Sequence, residues 1–352
     1  MIKKIFLLFL ACWSLGLSAQ EMMELKQVKM SKWKIGTGQF SGITSLGDTR
    51  YAVVSDKEPA DGFFLFRIDQ NATTGEVESV YLENFYGNPS PRLDAYGVSM
   101  RDTEGIAYFP PAQTLFISGE GDQQILEYSL DGVPTGRGLL VPPLYETPNI
   151  VFNYGFEALS YSNEQQRFWT ITESTLKSDG VVAGPEHPGG VNLLRLQSFT
   201  DDLLPAAQYA YRMDVGKKDD FGKYYCFGVP SVVALPDGGV LVLERELDIP
   251  KGYMSAQVIC KIFLVHPNEG WQIDSTTDLK QLDTNQFLHK KLVACFTTQL
   301  HPFKNTFANY EGMCLGRTLD DGRRTLLLLN DSQSGAGWGP YRMQDYIKVL
   351  IF

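Results

Sequence analysis

The sequence predicts an all-β protein, a β-propeller with six blades, with five blades as the alternative. Short runs of branched and aromatic residues recur along the chain and end at turn pairs such as Asp131-Gly132 and Asp237-Gly238, which is typical of strands. Helical periodicity is scarce, apart from a short stretch around Leu279 to Leu288. One strand unit recurs five times, and such repeats indicate a propeller or a related array.

The clearest strand signals are residues 51–54, 62–68, 114–118, 124–128, 168–172, 239–243, 261–265 and 325–329. Each is rich in branched or aromatic residues. The terminal segment 346–352 is also strongly β-prone. Because an apolar strand left unpaired would invite aggregation, we expect this segment to close the ring against N-terminal strands.

Each repeat unit has a polar or small residue entering a first strand, then a turn, then a second apolar strand that ends in acidic residues. The first strands begin at Phe40-Ser-Gly-Ile, Thr103-Glu-Gly-Ile, Gly155-Phe-Glu-Ala-Leu, Pro230-Ser-Val-Val and Tyr310-Glu-Gly-Met. Glycine at positions 42, 105 and 312 suits strands that are crowded by neighbouring backbones at a narrow axis. Successive units start about 50 to 80 residues apart, more than the ~45 residues of a compact blade, so long insertions or a degenerate sixth blade must fill the wider gaps.

The N-terminus has the order of a secretory signal: a basic Met1-Ile-Lys-Lys, an apolar stretch from Ile5 to Leu17, and small residues at Ser18-Ala19. We therefore expect residues 1–19 to be a signal peptide, and residues 20–352 to form a single propeller domain that is periplasmic or extracellular. Lipid anchoring at Cys12 is the less favoured alternative. No later stretch approaches the ~20 apolar residues of a membrane helix, so we expect no membrane span.

Charge and motif content exclude several classes of partner and reaction. The formal charge of −10 comes with no basic stripe, so nucleic acid is not an expected partner. HExxH, Gly-x-Ser-x-Gly, phosphate-loop and dinucleotide fingerprints are absent from the sequence. We expect a monomer that acts on a small molecule. The scattered cysteines at 226, 260, 295 and 314 leave disulfides and buried thiols as equal alternatives.

Acidic residues recur at equivalent ends of the units, and a propeller would bring them to one mouth of its channel. The predicted metal ligands are Asp56, Glu104, Glu120, Glu157, Glu173, Glu244, Glu311 and Asp331. Clustered carboxylates repel each other unless a cation compensates them. A hard cation such as Ca²⁺ is one solution, and internal neutralisation by Lys57 and Arg245 is the other.

The ordered motifs resemble those of the family named for the esterase-like activity of phytase. The resemblance rests on Phe40-Ser-Gly-Ile, Ser55-Asp56, Asp102-Thr-Glu-Gly-Ile-Ala, Gly119-Glu120, Asn153-Tyr-Gly-Phe-Glu-Ala-Leu, Thr172-Glu173, Val242-Leu-Glu-Arg245, Asn309-Tyr-Glu-Gly and Asn330-Asp331. It covers residues from about 35 to 350. It implies a phytase-like propeller that hydrolyses phosphoesters or esters, with Ca²⁺ in an acidic central funnel. The sequence lacks a dense lysine and arginine set for a highly phosphorylated substrate.

The leading hypothesis is therefore an exported, metal-assisted phosphoester or ester hydrolase. Its predicted catalytic residues are Glu104, Glu157 and Glu311, with Arg245 and Lys57 binding the substrate phosphate. The alternative is a non-catalytic propeller that binds a glycan, a peptide or a partner protein at the same mouth.

Overall fold

A computed structural model describes residues 22–56, 61–97, 99–301 and 304–352. The predicted signal peptide and Lys57 lie outside these residues. The strands are β1 (Met23–Glu24), β2 (Val28–Lys29), β3 (Phe40–Gly47), β4 (Arg50–Ser55), β5 (Gly62–Gln70), β6 (Val77–Gly87), β7 (Thr103–Phe109), β8 (Thr114–Gly119), β9 (Gln124–Ser129), β10 (Pro134–Gly138), β11 (Phe156–Ser162), β12 (Arg167–Thr172), β13 (Leu193–Thr200), β14 (Pro205–Arg212), β15 (Tyr224–Ala234), β16 (Val240–Ile249), β17 (Gln257–Val265), β18 (Gln272–Ile273), β19 (Lys290–His301), β20 (Lys304–Asn305), β21 (Asn309–Thr318), β22 (Arg324–Asp331) and β23 (Tyr346–Ile351).

The helices in the described residues are short and of the 3₁₀ type. They are η1 (Met30–Trp33), η2 (Pro143–Tyr145), η3 (Thr147–Asn149), η4 (Pro267–Glu269), η5 (Leu279–Gln281), η6 (Thr284–Gln286) and η7 (Gly339–Tyr341). The stretch singled out as a possible helix, 279–288, contains η5 and η6. In the parts of the chain that the structure describes, no helix is long and apolar enough to cross a membrane.

The strands form five antiparallel sheets arranged as the blades of a β-propeller. Blade one is β3-β4-β5-β6, blade two β7-β8-β9-β10, blade three β11-β12-β13-β14-β18, blade four β15-β16-β17-β19-β20, and blade five β21-β22-β23 with β1 and β2. The inner strands β3, β7, β11, β15 and β21 contact one another in that order around the axis, and β21 returns to β3.

The all-β propeller prediction is confirmed, with the alternative count of five blades rather than six. Long strands and insertions fill the wide gaps between repeats. Strand β19 alone has 12 residues, and β18, in the segment before it, pairs with β14 to extend blade three. The extra chain therefore enlarges existing blades and does not build a sixth.

The C-terminal strand closes the ring, as the sequence predicts. Strand β23 pairs with β22 on one side, and on the other with β1 (Met23↔Ile351) and β2 (Val28↔Ile347). Blade five is thus assembled from the two ends of the described chain, which leaves no open gap between blades five and one.

Apolar side chains fill the interfaces between neighbouring blades. Along β16, Val240 and Val242 pack toward blade three, whereas Leu241 and Leu243 pack toward blade five. Successive side chains of a strand point to opposite faces of the sheet, so a blade covered on both faces needs an unbroken apolar run. This explains why the strands carry continuous rather than alternating apolar residues.

Glycines at the axis allow the inner strands to approach each other closely. A Cβ on Gly42 would lie 2.3 Å from the carbonyl oxygen of Glu104, and one on Gly105 would lie 2.5 Å from that of Glu157. Both distances are too short for a side chain, so the predicted crowding at these positions is confirmed.

Candidate functional site

Every inner strand carries a β-bulge, which lies near the strand's start in four blades and in the middle of β15 in blade four. The register shifts lie between Phe40 and Gly42, Thr103 and Ile106, Phe156 and Ala158, Gly228 and Ser231, and Tyr310 and Gly312. A bulge re-aims the side chain that it carries. We call the residues at this position the bulge residues: Ser41, Glu104, Glu157, Pro230 and Glu311. In three of the five blades a glutamate is therefore turned toward the channel.

Two further positions repeat around the ring at the same level. The leading residues, two before each bulge residue, are Gln39, Asp102, Gly155, Gly228 and Asn309. The strand-end residues meet them through the backbone and stand at or just after the last residue of the second strand in four blades: Asp56, Glu120, Glu173 and Asp331. Their equivalent in blade four is Arg245, which lies within β16. Arg245 thus occupies in blade four the position that carries a carboxylate in the other four blades.

Each strand-end residue also reaches the leading residue of the next blade. Gly155 N–H donates to Glu120 Oε1 at 2.7 Å, and Arg245 Nη1 donates to Asn309 Oδ1 at 2.9 Å. Gly228 leaves room for Glu173, whose Cγ would lie 2.5 Å from a Cβ at that glycine. Between blades one and two, the strand-end residue Asp56 and the leading residue Asp102 are both carboxylates, and they lie close together.

These positions line a cavity of about 340 Å³ at the mouth of the channel. Among the described residues, its charged lining consists of eight carboxylates and one guanidinium: Asp56, Asp102, Glu104, Glu120, Glu157, Glu173, Glu311, Asp331 and Arg245. Asn153, Cys226, Asn309 and Gln333 add polar atoms, and Leu247, Ile249, Phe307 and Met343 add apolar ones. The mouth is therefore strongly acidic.

The carboxylates form two groups that could each hold a metal ion. The first is Asp56, Asp102 and Glu104, from blades one and two, and the second is Glu120, Glu157 and Glu173, from blades two and three. In each group, one oxygen from every member lies within 4.8 Å of the others. Oxygen ligands at this spacing suit a hard cation such as Ca²⁺.

Arg245 neutralises the other side of the mouth. Its Nη1 donates to Glu311 Oε1 at 2.6 Å and its Nη2 pairs with Glu173, while the Cys226 thiol donates to Glu173 Oε1 at 3.2 Å. Arg245 as a whole is 4% exposed. Its Nε is also buried and has no hydrogen-bond partner among the described residues. This geometry favours internal neutralisation over a contact with substrate phosphate.

Glu244 is the one predicted ligand in the described residues that the structure places elsewhere. It points into the interface of blades three and four, where it accepts hydrogen bonds from Tyr211 Oη at 2.8 Å and Lys290 Nζ at 2.5 Å. Neighbouring residues of a strand face opposite sides, so with Arg245 at the mouth Glu244 cannot also face it. The other seven predicted acids line the cavity, and Lys57 lies outside the described residues.

A family profile described as "Phytase-like: Esterase-like activity of phytase" matches residues 35–333. The chain belongs to the phytase-like family. The resemblance seen in the sequence is thereby confirmed, and the protein is a phytase-like propeller. A search of curated proteins finds no match.

Similar solved structures include a streptogramin B lyase (12% identity, TM-score 0.36), a DUF4221 family member from Bacteroides vulgatus (8%, 0.39) and the PQQ-bound aldose sugar dehydrogenase of Streptomyces coelicolor (10%, 0.39). Each alignment covers 94% of this chain and 98% of the other. At these identities and TM-scores they say nothing about the activity of the phytase-like propeller.

The three bulge glutamates of the phytase-like propeller share one electrostatic property. Burial raises the pKa of Glu104 well above its usual value, and Asp56 and Glu311 raise it further. Burial also raises the pKa of Glu157, as does Glu173. For Glu311, burial raises the pKa, Arg245 opposes the rise, and Asp331 adds to it. These groups therefore hold protons more strongly than free carboxyls do.

Without divalent cations, the free energy of unfolding is expected to fall as pH rises above about 4.5, the ordinary pKa of a glutamate. A carboxyl whose pKa is raised in the folded protein binds more protons folded than unfolded, so its contribution is complete at low pH and is lost as pH rises through the folded pKa. Urea unfolding in EDTA at several pH values measures this. Glu104→Gln should flatten the dependence, and stability that rises between pH 5 and 8 would contradict it.

The sequence prediction missed Asp102, Asn309 and Cys226. Asp102 and Asn309 each stand two residues before a bulge glutamate, and this repeated Asp/Asn-x-Glu spacing was the signal that could have found them. Asp102 adopts a left-handed backbone (φ 51°), as does Asn153 (φ 61°), and aspartate and asparagine tolerate this better than most residues. Burial and Glu173 raise the pKa of the Cys226 thiol, so it is a poor nucleophile.

The four described cysteines are free thiols. Cys260 and Cys314 are buried, Cys226 is half-buried at the mouth, and Cys295 is exposed. Of the two alternatives that the sequence left open, the thiol form is the one seen in the described residues.

Proposed function

We propose that the phytase-like propeller is an exported hydrolase of phosphoesters or related esters that works with a divalent cation, Ca²⁺ being the first candidate, at the acidic mouth. The observation that carries this proposal is the convergence of two carboxylate triads from three blades on one cavity. Membership of the phytase-like family supports it.

The residues at the mouth fit such a cation. The two triads present only carboxylate oxygens, and the first, Asp56, Asp102 and Glu104, joins two neighbouring blades. Ca²⁺ takes about six to eight oxygen ligands in flexible geometry, so a triad would supply part of the shell and substrate or water the rest. A bound cation would neutralise the carboxylates and polarise a phosphoryl or carbonyl oxygen of the substrate.

The chain's own groups would orient the substrate and move protons. Burial and the neighbouring Glu173 raise the pKa of Glu157, and this carboxyl is our candidate for proton transfer to or from the reacting oxygen or water. Glu104 on β7 and Glu311 on β21 also have raised pKa values, but Glu104 belongs to the first triad and would serve as a cation ligand. Lys57 follows Asp56 directly in the sequence and remains the predicted phosphate ligand.

Ca²⁺-dependent hydrolysis by the wild-type protein is the expected result in a panel of phosphomonoesters, phosphodiesters and carboxyl esters. Glu157→Gln should lower kcat by at least about 100-fold, because general acid or base catalysis contributes roughly 10²–10⁴-fold. Glu164→Gln, at the opposite end of the channel, is the matched control. If chelation leaves turnover unchanged, the cation dependence is wrong, and if no substrate reacts, the hydrolase proposal fails.

One observation favours the alternative of a non-catalytic binding propeller. Tyr96, Phe152 and Trp338 are 92%, 90% and 75% exposed, and all three lie in loops on the face where the inner strands begin. Exposed aromatic side chains around a cavity suit a glycan or peptide. Binding without turnover in the same panel would support this reading.

A further inference from the structure

Building on the proposed function, we propose that Arg245 is a built-in counter-cation that confines the divalent cation to the blade one and blade two side of the mouth. An uncharged residue at position 245 would then open a second cation site between blades three and five. In this role Arg245 determines how many cations the mouth binds and does not contact the substrate.

The strand register places Arg245 at a position that is acidic in the other blades. Arg245 is the strand-end residue of blade four, and the equivalent residues of the other blades are all carboxylates. It pairs through the backbone with Gly228, just as Asp331 pairs with Asn309. Four of the five equivalent positions therefore carry a carboxylate, and the fifth carries a positive charge. This fifth position lies between blades three and five, which each supply a glutamate.

The guanidinium of Arg245 contacts oxygen atoms of both neighbouring blades. It holds Glu173 of blade three through Nη2, and through Nη1 it holds Asn309 Oδ1 at 2.9 Å and Glu311 Oε1 at 2.6 Å in blade five. Two carboxylates and an amide oxygen are a donor set that a hard cation also uses. Arg245 thus occupies the oxygens that a cation would need on this side, and by holding Glu173 it also occupies a member of the second triad.

The Arg245 side chain is buried. It is about 5% exposed and is held against the carboxylates of Glu173 and Glu311. A positive charge in this position repels a nearby divalent cation, and the repulsion is stronger where the side chain is buried in a medium of low dielectric constant. The Asp56, Asp102 and Glu104 triad belongs to blades one and two and includes no residue that Arg245 contacts.

Calorimetric titration with Ca²⁺, together with melting curves in Ca²⁺ and in EDTA, tests the proposal. Arg245→Gln should bind one more Ca²⁺ per chain than the wild type and show a larger Ca²⁺-dependent rise in Tm. Arg245→Lys, which keeps the charge, should keep the wild-type stoichiometry. Arg137→Gln is the matched control, since Arg137 pairs with the buried Glu127 away from the mouth.

Each outcome decides one claim. Equal stoichiometry and equal Tm rise in Arg245→Gln and the wild type overturn the role of Arg245, as does a variant that stays unfolded with and without Ca²⁺. A raised KM for a phosphoester in Arg245→Gln, with unchanged Ca²⁺ stoichiometry, overturns the counter-cation role and indicates that Arg245 contacts the substrate phosphate. A variant that folds only with Ca²⁺ supports the counter-cation role. If the wild type binds no cation, the proposed function fails. If Arg245→Gln then binds one Ca²⁺, the role of Arg245 as a counter-cation is still supported.

Discussion

Deletion of residues 346–352 is expected to unfold the propeller. Strand β23 lies between β22 and the N-terminal strands, so its loss leaves β22 as an open edge and β1 and β2 without their partner. The deleted segment also includes Ile347, Val349, Leu350 and Ile351, all at most 3% exposed. Burial of each such side chain contributes about 1.5–3 kcal/mol, so four of them approach the ~5–15 kcal/mol by which domains are stable.

Circular dichroism and thermal melting measure the effect of this deletion. The truncated chain should show no cooperative transition at a temperature where the full chain is folded. Ile351→Val, which keeps the strand and costs only about 0.5–1.5 kcal/mol, is the control. A truncated chain that melts cooperatively within a few degrees of the full one would show that the ring does not need this strand.

Asp102→Asn combined with Glu104→Gln is expected to abolish most Ca²⁺-dependent stabilisation. A ligand at 100 times its Kd stabilises a protein by about 2.7 kcal/mol, and the variant removes two of the three carboxylates of the first triad. Because the variant also relieves repulsion, it should be more stable than the wild type in EDTA. In EDTA the double variant should therefore have the higher Tm, whereas in Ca²⁺ the wild type should have the higher Tm.

Melting curves with and without Ca²⁺ provide the measurement for the double variant. Asp237→Asn with Glu164→Gln also removes two carboxylates, but from exposed positions away from the mouth, and serves as the matched control. A double variant that retains the full Ca²⁺-dependent rise in Tm would place the cation outside the first triad.

The fold followed from the sequence because its main signals are local. Apolar runs and Asp-Gly turns identify the strands, and the glycines at 42 and 105 mark the crowded axis. The blade count did not follow, because spacing alone cannot distinguish an inserted strand such as β18 from part of another blade. Which sheet a strand joins depends on packing between distant segments.

The sequence predicted which acidic residues belong to the site but not how their side chains are arranged in space. Seven predicted acids reach the cavity because they belong to one repeated pattern. Glu244 does not, because a shift of one residue along a strand reverses the face of a side chain, and the sequence alone does not fix that register. The bulges were also invisible in the sequence, although they aim Glu104, Glu157 and Glu311 into the mouth.

Anomalous diffraction from crystals grown with Ca²⁺, and then with Tb³⁺ in its place, locates any cation bound at the mouth. We predict a peak within bonding distance of carboxylate oxygens of Asp56, Asp102 and Glu104, and none between Arg245 and Glu311. A mouth without any peak, in crystals of protein whose Tm is the same in Ca²⁺ and in EDTA, would contradict this prediction.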